Sequence, residues 1–124
     1  MISLLKAMLG MGGESIGPRE AVQRMNAGAV LVDVREPHEF DAGHAPQAKT
    51  LPLGRISAQG AVAIDALHLT QECCEVLLIC QSGMRSRMAR NALRSDSRRR
   101  YVNVTGGMAA WMAAGLPCRA RTRS

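Results

Sequence analysis

The chain has 124 residues and a formal net charge of +6, a length that suits one compact domain burying roughly two thirds of its unfolded surface. It is 47% apolar, yet its only aromatic residues are Phe40, Tyr101 and Trp111, so the core must come from Val, Leu, Ile, Ala and Met, and a stacking platform for single-stranded nucleic acid is excluded. Four cysteines in so apolar a chain do not make a disulfide-stapled miniprotein, and adjacent Cys73 and Cys74 could bridge each other only under strain, so a reducing compartment fits.

Residues 1–14 form an N-terminal arm with a short apolar stretch. It lacks the basic lead of a signal peptide and the length of a membrane span, so a cytoplasmic protein without a membrane span is expected. Residues 18–25 then read as a helix with Pro18 in its first turn and Ala21, Val22 and Met25 on one face. Residues 29–34 are a nearly continuous apolar run, suited to a strand covered on both faces of a parallel sheet, with Asp33 as the exception. A short helix over 36–42 leads into the turn Gly43-His44-Ala45-Pro46, and residues 49–53 form a short strand that Pro52 confines to an edge or an end.

Residues 55–71 form a loosely patterned helical stretch. Residues 76–79 are the second strongly apolar strand, followed by Cys80 and a helix over 86–96. That helix places Met88, Ala89, Ala92 and Leu93 on an apolar face and Arg87, Arg90 and Arg94 on the other. A strand over 101–104, a turn at Gly106-Gly107 and a helix over 108–114, stopped by Gly115, complete the domain, taken as residues 15–118. Residues 119–124 are a basic tail. Strands alternating with helices in this order imply an α/β protein with a parallel sheet covered on both faces.

Cys80 closes an apolar strand and opens Gln81-Ser82-Gly83-Met84-Arg85-Ser86. Ligands of open parallel sheets bind beyond the carboxyl ends of the strands, where loops lead into helices. Gly83 tolerates backbone angles that turn successive N–H groups inward, and such a nest with a helix N-terminus behind it favours thiolate over thiol. Arg85 and Arg87 stand near a helix start, where the helix dipole disfavours cations by about 0.3–1 kcal/mol; an anion in the loop would reverse that balance. Asp33, a carboxylate in a buried strand, needs a partner, and a loop arginine is the expected one. On these residues alone two readings of Cys80 stand: a reactive thiolate, or a small buried hydrophobe at a strand end.

The arginines between 85 and 100 and in the tail make an electrostatic footprint, read either as a solvated basic face or as attraction for a small anion or an acidic partner; specific nucleic-acid recognition is not expected. His38, His44 and His68 do not combine with the cysteines into a ligand set at zinc spacing, and His44 reads as a turn histidine bonded to backbone. Trp111 reads as a packing anchor. Cys73, Cys74 and Cys118 read as packing or exposed thiols, with a secondary reading as sulfur acceptors or resolving thiols.

Four ordered segments resemble a single-domain rhodanese: Leu31-Val-Asp33-Val-Arg35-Glu36; Gly43-His44-Ala-Pro46; Cys80-Gln81-Ser82-Gly83-Met84-Arg85-Ser86; and Gly106-Gly107-Met-Ala-Ala-Trp111 with Gly115-Leu-Pro117. The resemblance covers roughly residues 15–117. It implies a three-layer rhodanese-like fold, a five-stranded parallel sheet flanked by helices on both faces, with a thiosulfate or thiol sulfurtransferase site in the loop after the fourth strand. It implies that Cys80 is the sulfur-accepting nucleophile and that the backbone of residues 81–85 is its cradle. Arg85 would brace the loop against an acidic group such as Asp33 or Glu36, with Asp33 and Arg35 supporting the site.

The implied partners are a small anionic sulfur donor such as thiosulfate and a thiol, protein or cyanide acceptor, and no metal or organic cofactor is required. Gln47-Ala48 replaces the family's usual Gly-Ala after the His-x-Pro turn, and Arg100-Tyr101 stands where Gly-Phe is common. Related phosphatases and arsenate reductases commonly place five residues between cysteine and arginine; here four separate Cys80 from Arg85, which favours transfer of a single sulfur. The alternative is a non-catalytic binding or sulfur-carrier module, which would load sulfur once without multiple turnover.

Overall fold

In the computed structural model, which describes residues 13–70 and 75–120, the two strongest apolar runs lie side by side at the centre of a sheet. They are β2 (Val30–Asp33) and β4 (Glu75–Ile79), paired in parallel with Leu31 opposite Leu77 and Asp33 opposite Ile79. On the other side of β4 lies β5 (Arg100–Val104), and beyond it β1 (Glu14–Ile16); β3 (Lys49–Thr50) flanks β2. All pairings are parallel, in the order β1-β5-β4-β2-β3.

The intervening helices are α1 (Pro18–Asn26), α2 (Pro37–Ala42), α3 (Leu53–Gln59), α4 (Ala61–Asp65), α5 (Met84–Ala92) and α6 (Gly107–Ala113). Alternating side chains along each strand divide the core in two. Val32, Leu78, Cys80 and Tyr101 join Ile56, Ile64, Ala89 and Leu93 under α3, α4 and α5. Leu31, Leu77, Ile79, Val102 and Val104 join Ala21, Met108 and Trp111 under α1 and α6. The five-stranded parallel α/β architecture implied by the resemblance is present.

Several elements differ in detail from the sequence reading. β1 begins at Glu14, inside the expected arm: a strand of three residues is too short to show alternation, and its pairing with β5 defines it. Pro52 ends β3 early, and Leu53, expected in the strand, starts α3. The helix expected over 86–96 starts at Met84 and ends at Ala92, and its buried stripe is Ser86, Ala89, Arg90 and Leu93. Met88 and Ala92, expected inside, are exposed, while Arg90, expected outside, is 6% exposed. That stripe follows the i, i+3, i+4, i+7 rule from Ser86, the residue whose hydroxyl the loop pulls inward.

At the other end, Arg119, placed in the tail by sequence, exchanges backbone hydrogen bonds with His44 at 2.9 and 2.8 Å, so the fold's contacts run through residue 119. Residues 1–12 of the arm and 121–124 of the tail lie outside the described residues.

The arginine footprint also changes. Arg98 and Arg99 both pair with Asp65 and Asp96, and Arg100 pairs with Glu14 at 3.0 Å. This run of three arginines therefore ties the start of β5 to α4 and β1, and its charge is largely met within the fold.

At the carboxyl end of β2, Asp33 is fully buried and takes Arg35 Nη2 at 2.8 Å, Arg35 Nε at 3.0 Å and the Arg35 backbone N–H at 3.0 Å. Arg35 in turn donates to the Gly43 carbonyl at 2.7 Å, fastening β2 to the end of α2. Removing one member of a buried pair leaves the other charge uncompensated, at a cost of about 3–5 kcal/mol. Asp33→Ala should therefore lower the thermal midpoint by about ten to twenty degrees; a midpoint unchanged within two degrees or so would show that the pair contributes nothing to the fold.

Candidate active site

Cys80 is the first residue beyond β4, on the α5 side of the sheet and 1% exposed. The chain then turns tightly so that α5 begins at Met84. Gly83 makes the turn with φ 105° and ψ −8°, a left-handed conformation in which any side chain would be strained, and an added Cβ would stand 3.3 Å from the Gly106 nitrogen. In this conformation the Gly83 N–H donates to Cys80 Sγ at 3.0 Å. Ser86, in the first turn of α5, places Oγ 3.4 Å from the same sulfur.

The loop is held from behind by α6. The Met108 N–H donates to the Cys80 carbonyl at 2.7 Å and the Ala109 N–H to the Gln81 carbonyl at 3.1 Å. Gly107 lets the backbones approach this closely: at φ 56° it is left-handed, and a Cβ there would collide with the Cys80 carbonyl oxygen and the Gln81 backbone.

Burial pushes the Cys80 thiol up, but the Ser86 hydroxyl and the N–H groups of Ser86, Gly83 and Ser82 outweigh it, so the thiol sits below its ordinary value. The arrangement therefore stabilises a negative sulfur inside the fold. Gln81, Ser82 and Met84, singled out as loop residues, turn outward and are exposed, so their backbone rather than their side chains shapes the loop.

Arg85 is braced by a different carboxylate from the two expected. Its Nη1 and Nη2 take the two oxygens of Glu39, on α2, at 2.6 and 2.9 Å. Asp33 is already engaged by Arg35, which also replaces the loop arginine expected as its partner. Glu36 is the N-cap of α2 and forms a reciprocal capping box with Glu39, its N–H donating to Glu39 Oε1 at 3.0 Å, so it acts on Arg85 only through Glu39. The Arg85 guanidinium holds the Glu39 carboxyl down at about 2, with the Glu36 N–H assisting against burial. Arg85 is itself raised, first by its hydrogen bond to Glu39 and, less strongly, by the charges of Cys80 and Asp33.

Sequence reasoning missed Glu39, which lies inside an ordinary helical segment without a local signal. It also passed over Asn103, whose polar side chain interrupts an apolar strand as conspicuously as Asp33 does; Asn103 Oδ1 lies 2.5 Å from Ser86 Oγ. His44 bonds to backbone as expected, its Nδ1 2.7 Å from the Phe40 carbonyl and its ring stacked on Phe40 at 3.8 Å, but it lies in the bridge to Arg119 rather than in a turn. Trp111 is buried and donates to the Pro117 carbonyl at 2.8 Å. Cys118 is an exposed free thiol beside Gly43, whereas Cys73 and Cys74 lie outside the described residues. Among the described residues no three His, Cys, Asp or Glu side chains could hold a metal ion, and no helix is long and apolar enough to cross a membrane.

The model of the rhodanese-like domain matches residues 17–114. An uncharacterized protein of Synechocystis, slr1261, is 38% identical over 104 residues, covering 83% of this chain and 54% of its own length. A sulfurtransferase of Allochromatium vinosum is 33% identical over 88 residues, 71% of this chain and 76% of that protein. Among solved structures, a rhodanese-related protein of Thermoplasma volcanium superposes with a TM-score of 0.69 at 24% identity, covering 86% of this chain and 97% of the other. The chain thus spans only about half the length of curated relatives such as the Synechocystis protein.

Because the folded loop favours the charged sulfur, alkylation of Cys80, followed on its own peptide against pH, should reach half-maximal rate at a lower pH in the native protein than in urea. Ser86→Ala should move the native midpoint upward. Coincident native and unfolded profiles would mean that the loop does not stabilise the thiolate.

Proposed function

Since this chain belongs to the rhodanese family, we propose that it is a sulfurtransferase that moves a sulfane sulfur from thiosulfate or a persulfide donor to a thiol or cyanide acceptor, with Cys80 as the carrier. The observation that carries this reading is a buried sulfur ringed by the N–H groups of residues 82, 83 and 86 and by the Ser86 hydroxyl. A thiolate held in this way is already the nucleophile, so the attack needs no general base.

In the first step a lone pair of the Cys80 thiolate attacks the outer sulfur of thiosulfate. The sulfur–sulfur bond of the donor breaks, its electron pair departs with sulfite, and the negative charge of the loop moves to the outer sulfur of a Cys80 persulfide. In the second step the acceptor, as thiolate or cyanide anion, attacks that outer sulfur, and the electron pair of the persulfide bond returns to Cys80. The two anions that alternate in the loop, thiolate and persulfide, use the same donors.

Arg85 contributes a nearby positive charge, held in place by the two hydrogen bonds from its terminal nitrogens to Glu39. The short loop supports sulfur over phosphate: four residues lie between Cys80 and Arg85, and the Gly83 N–H is already 3.0 Å from the sulfur itself. A tetrahedral oxyanion would need those N–H groups for its own oxygens.

Mass spectrometry of the intact protein after thiosulfate treatment should show a gain of about 32 Da, one sulfur atom, that cyanide removes and that Cys80→Ala abolishes. Arg85→Ala should slow loading about tenfold through loss of the nearby charge and of the brace to Glu39. A gain that persists in Cys80→Ala would refute the assignment of Cys80.

A further inference from the structure

A line of polar groups leaves Cys80 along the α5-covered face of the sheet. Asn103, in β5 and 3% exposed, sits between Val102 and Val104, where a buried amide is costly unless its hydrogen bonds are made. Its Oδ1 is 2.5 Å from Ser86 Oγ and its Nδ2 is 3.3 Å from Ser15 Oγ, on the residue opposite it in register on β1. Arg90, one turn beyond Ser86 on α5, donates through Nη1 to Ser15 Oγ at 3.2 Å and to the Glu14 carbonyl at 2.9 Å. The Arg90 Nε is buried without a partner, and among the described residues no carboxylate pairs with this guanidinium. Cys80, Ser86, Asn103, Ser15 and Arg90 are thereby joined from the buried sulfur to the exposed edge strand, where Ser15 meets solvent.

Counting hydrogens gives this line a direction. Ser86 has one hydroxyl proton and three acceptors in reach: Asn103 Oδ1 at 2.5 Å, the Gly83 carbonyl at 3.1 Å and Cys80 Sγ at 3.4 Å. With the amide oxygen facing Ser86, that proton goes to Asn103, and the hydrogen left for the sulfur contact is the thiol's own. In this orientation the sulfur keeps the backbone N–H groups of residues 82, 83 and 86 as its donors but not the Ser86 proton. Exchanging the positions of Oδ1 and Nδ2 requires only a half-turn of the amide within the same outline. Nδ2 then donates to Ser86, the Ser15 hydroxyl donates to Oδ1 while accepting from Arg90, and the Ser86 proton points at the sulfur. Every donor from Arg90 inward then faces Cys80, as a negative sulfur requires.

We propose that Asn103 is a positioning residue whose amide orientation sets the direction of the Ser86 proton and so links the Arg90 charge to negative charge on the Cys80 sulfur. The proposal rests on Cys80 being the reacting group. The charge acting on this sulfur from another direction is Arg85 on α5, itself paired with Glu39 on α2; the Asp33–Arg35 pair lies at the end of β2, and α6 presents backbone N–H groups to the loop. All of these remain when Asn103 or Ser15 is changed. Asn103→Asp keeps the shape and, when ionised, can only accept from Ser86, which turns the Ser86 proton away from the sulfur.

The test is the alkylation rate of Cys80 against pH, read on its own peptide, in the full chain with Asn103→Asp, Ser86→Ala and the double variant, each checked by thermal melt. Asn103→Asp should slow alkylation at neutral pH about tenfold, equivalent to about one pKa unit. In the Ser86→Ala background the same change should slow it less than threefold, because the proton it redirects is gone. Equal slowing in both backgrounds would assign the effect to the field of the new carboxylate and overturn the proposal, as would no slowing in either. If Asn103→Asp does not melt cooperatively, Ser15→Ala decides: slowing by about two- to threefold that vanishes with Ser86→Ala supports the link, and no slowing overturns it. Thiosulfate loading is measured separately on the unaltered chain, so a failure of sulfur transfer is distinguishable from a failure of this link.

Discussion

Two backbone hydrogen bonds hold the loop on which the rest of the site depends: the first N–H groups of α6 take the carbonyls of Cys80 and Gln81. A trans peptide unit directs its carbonyl and its N–H to opposite sides. With the Gln81 carbonyl turned out to α6, the Ser82 N–H of the same unit is turned in, and it is among the donors that favour charge on the Cys80 sulfur. Gly83 continues the turn and adds its own N–H at 3.0 Å. The absence of side chains at positions 83 and 107 is thus a requirement of two close backbone approaches, and the electrostatics of the sulfur follow from them.

The charged side chains around this loop form two ion pairs. Arg85 is fixed by Glu39, and Glu39 by the Glu36 N–H through the capping box of α2. Arg35 is fixed by Asp33 and clasps the Gly43 carbonyl, which ties the end of β2 to the end of α2. The positive charge near Cys80 is therefore held in one orientation by these hydrogen bonds. The cost of this order is borne by the fold, in a buried ion pair and two left-handed glycines.

Much of this architecture was legible in the chain because it is written in local patterns. The apolar runs that became β2 and β4 and the helix after Gly106-Gly107 carry strong short-range signals, whereas the turn expected over Gly43 to Pro46 falls at Ala45 to Ala48, His44 being held in a bridge to Arg119. The Cys80 loop was legible because a strand, a thiol, a glycine and a helix start follow one another within a few residues. What escaped was non-local. β1 is three residues long and exists by pairing with β5; Glu39 reaches Arg85 across 46 positions of sequence; and Arg90 faces inward because Ser86 sets the phase of α5. The Arg98 to Arg100 run read as a solvated basic face or an attraction for anions, yet its partners Asp65 and Glu14 come from distant parts of the chain.

The central claim is that the loop backbone donates to a negatively charged Cys80 sulfur, and the Gly83 amide reports on it directly. In an NMR titration of the labelled protein, the Gly83 amide proton should move downfield as Cys80 ionises, with the same midpoint as thiolate formation, and this movement should be absent in Cys80→Ser. A Gly83 amide that stays in place while Cys80 ionises would contradict the account.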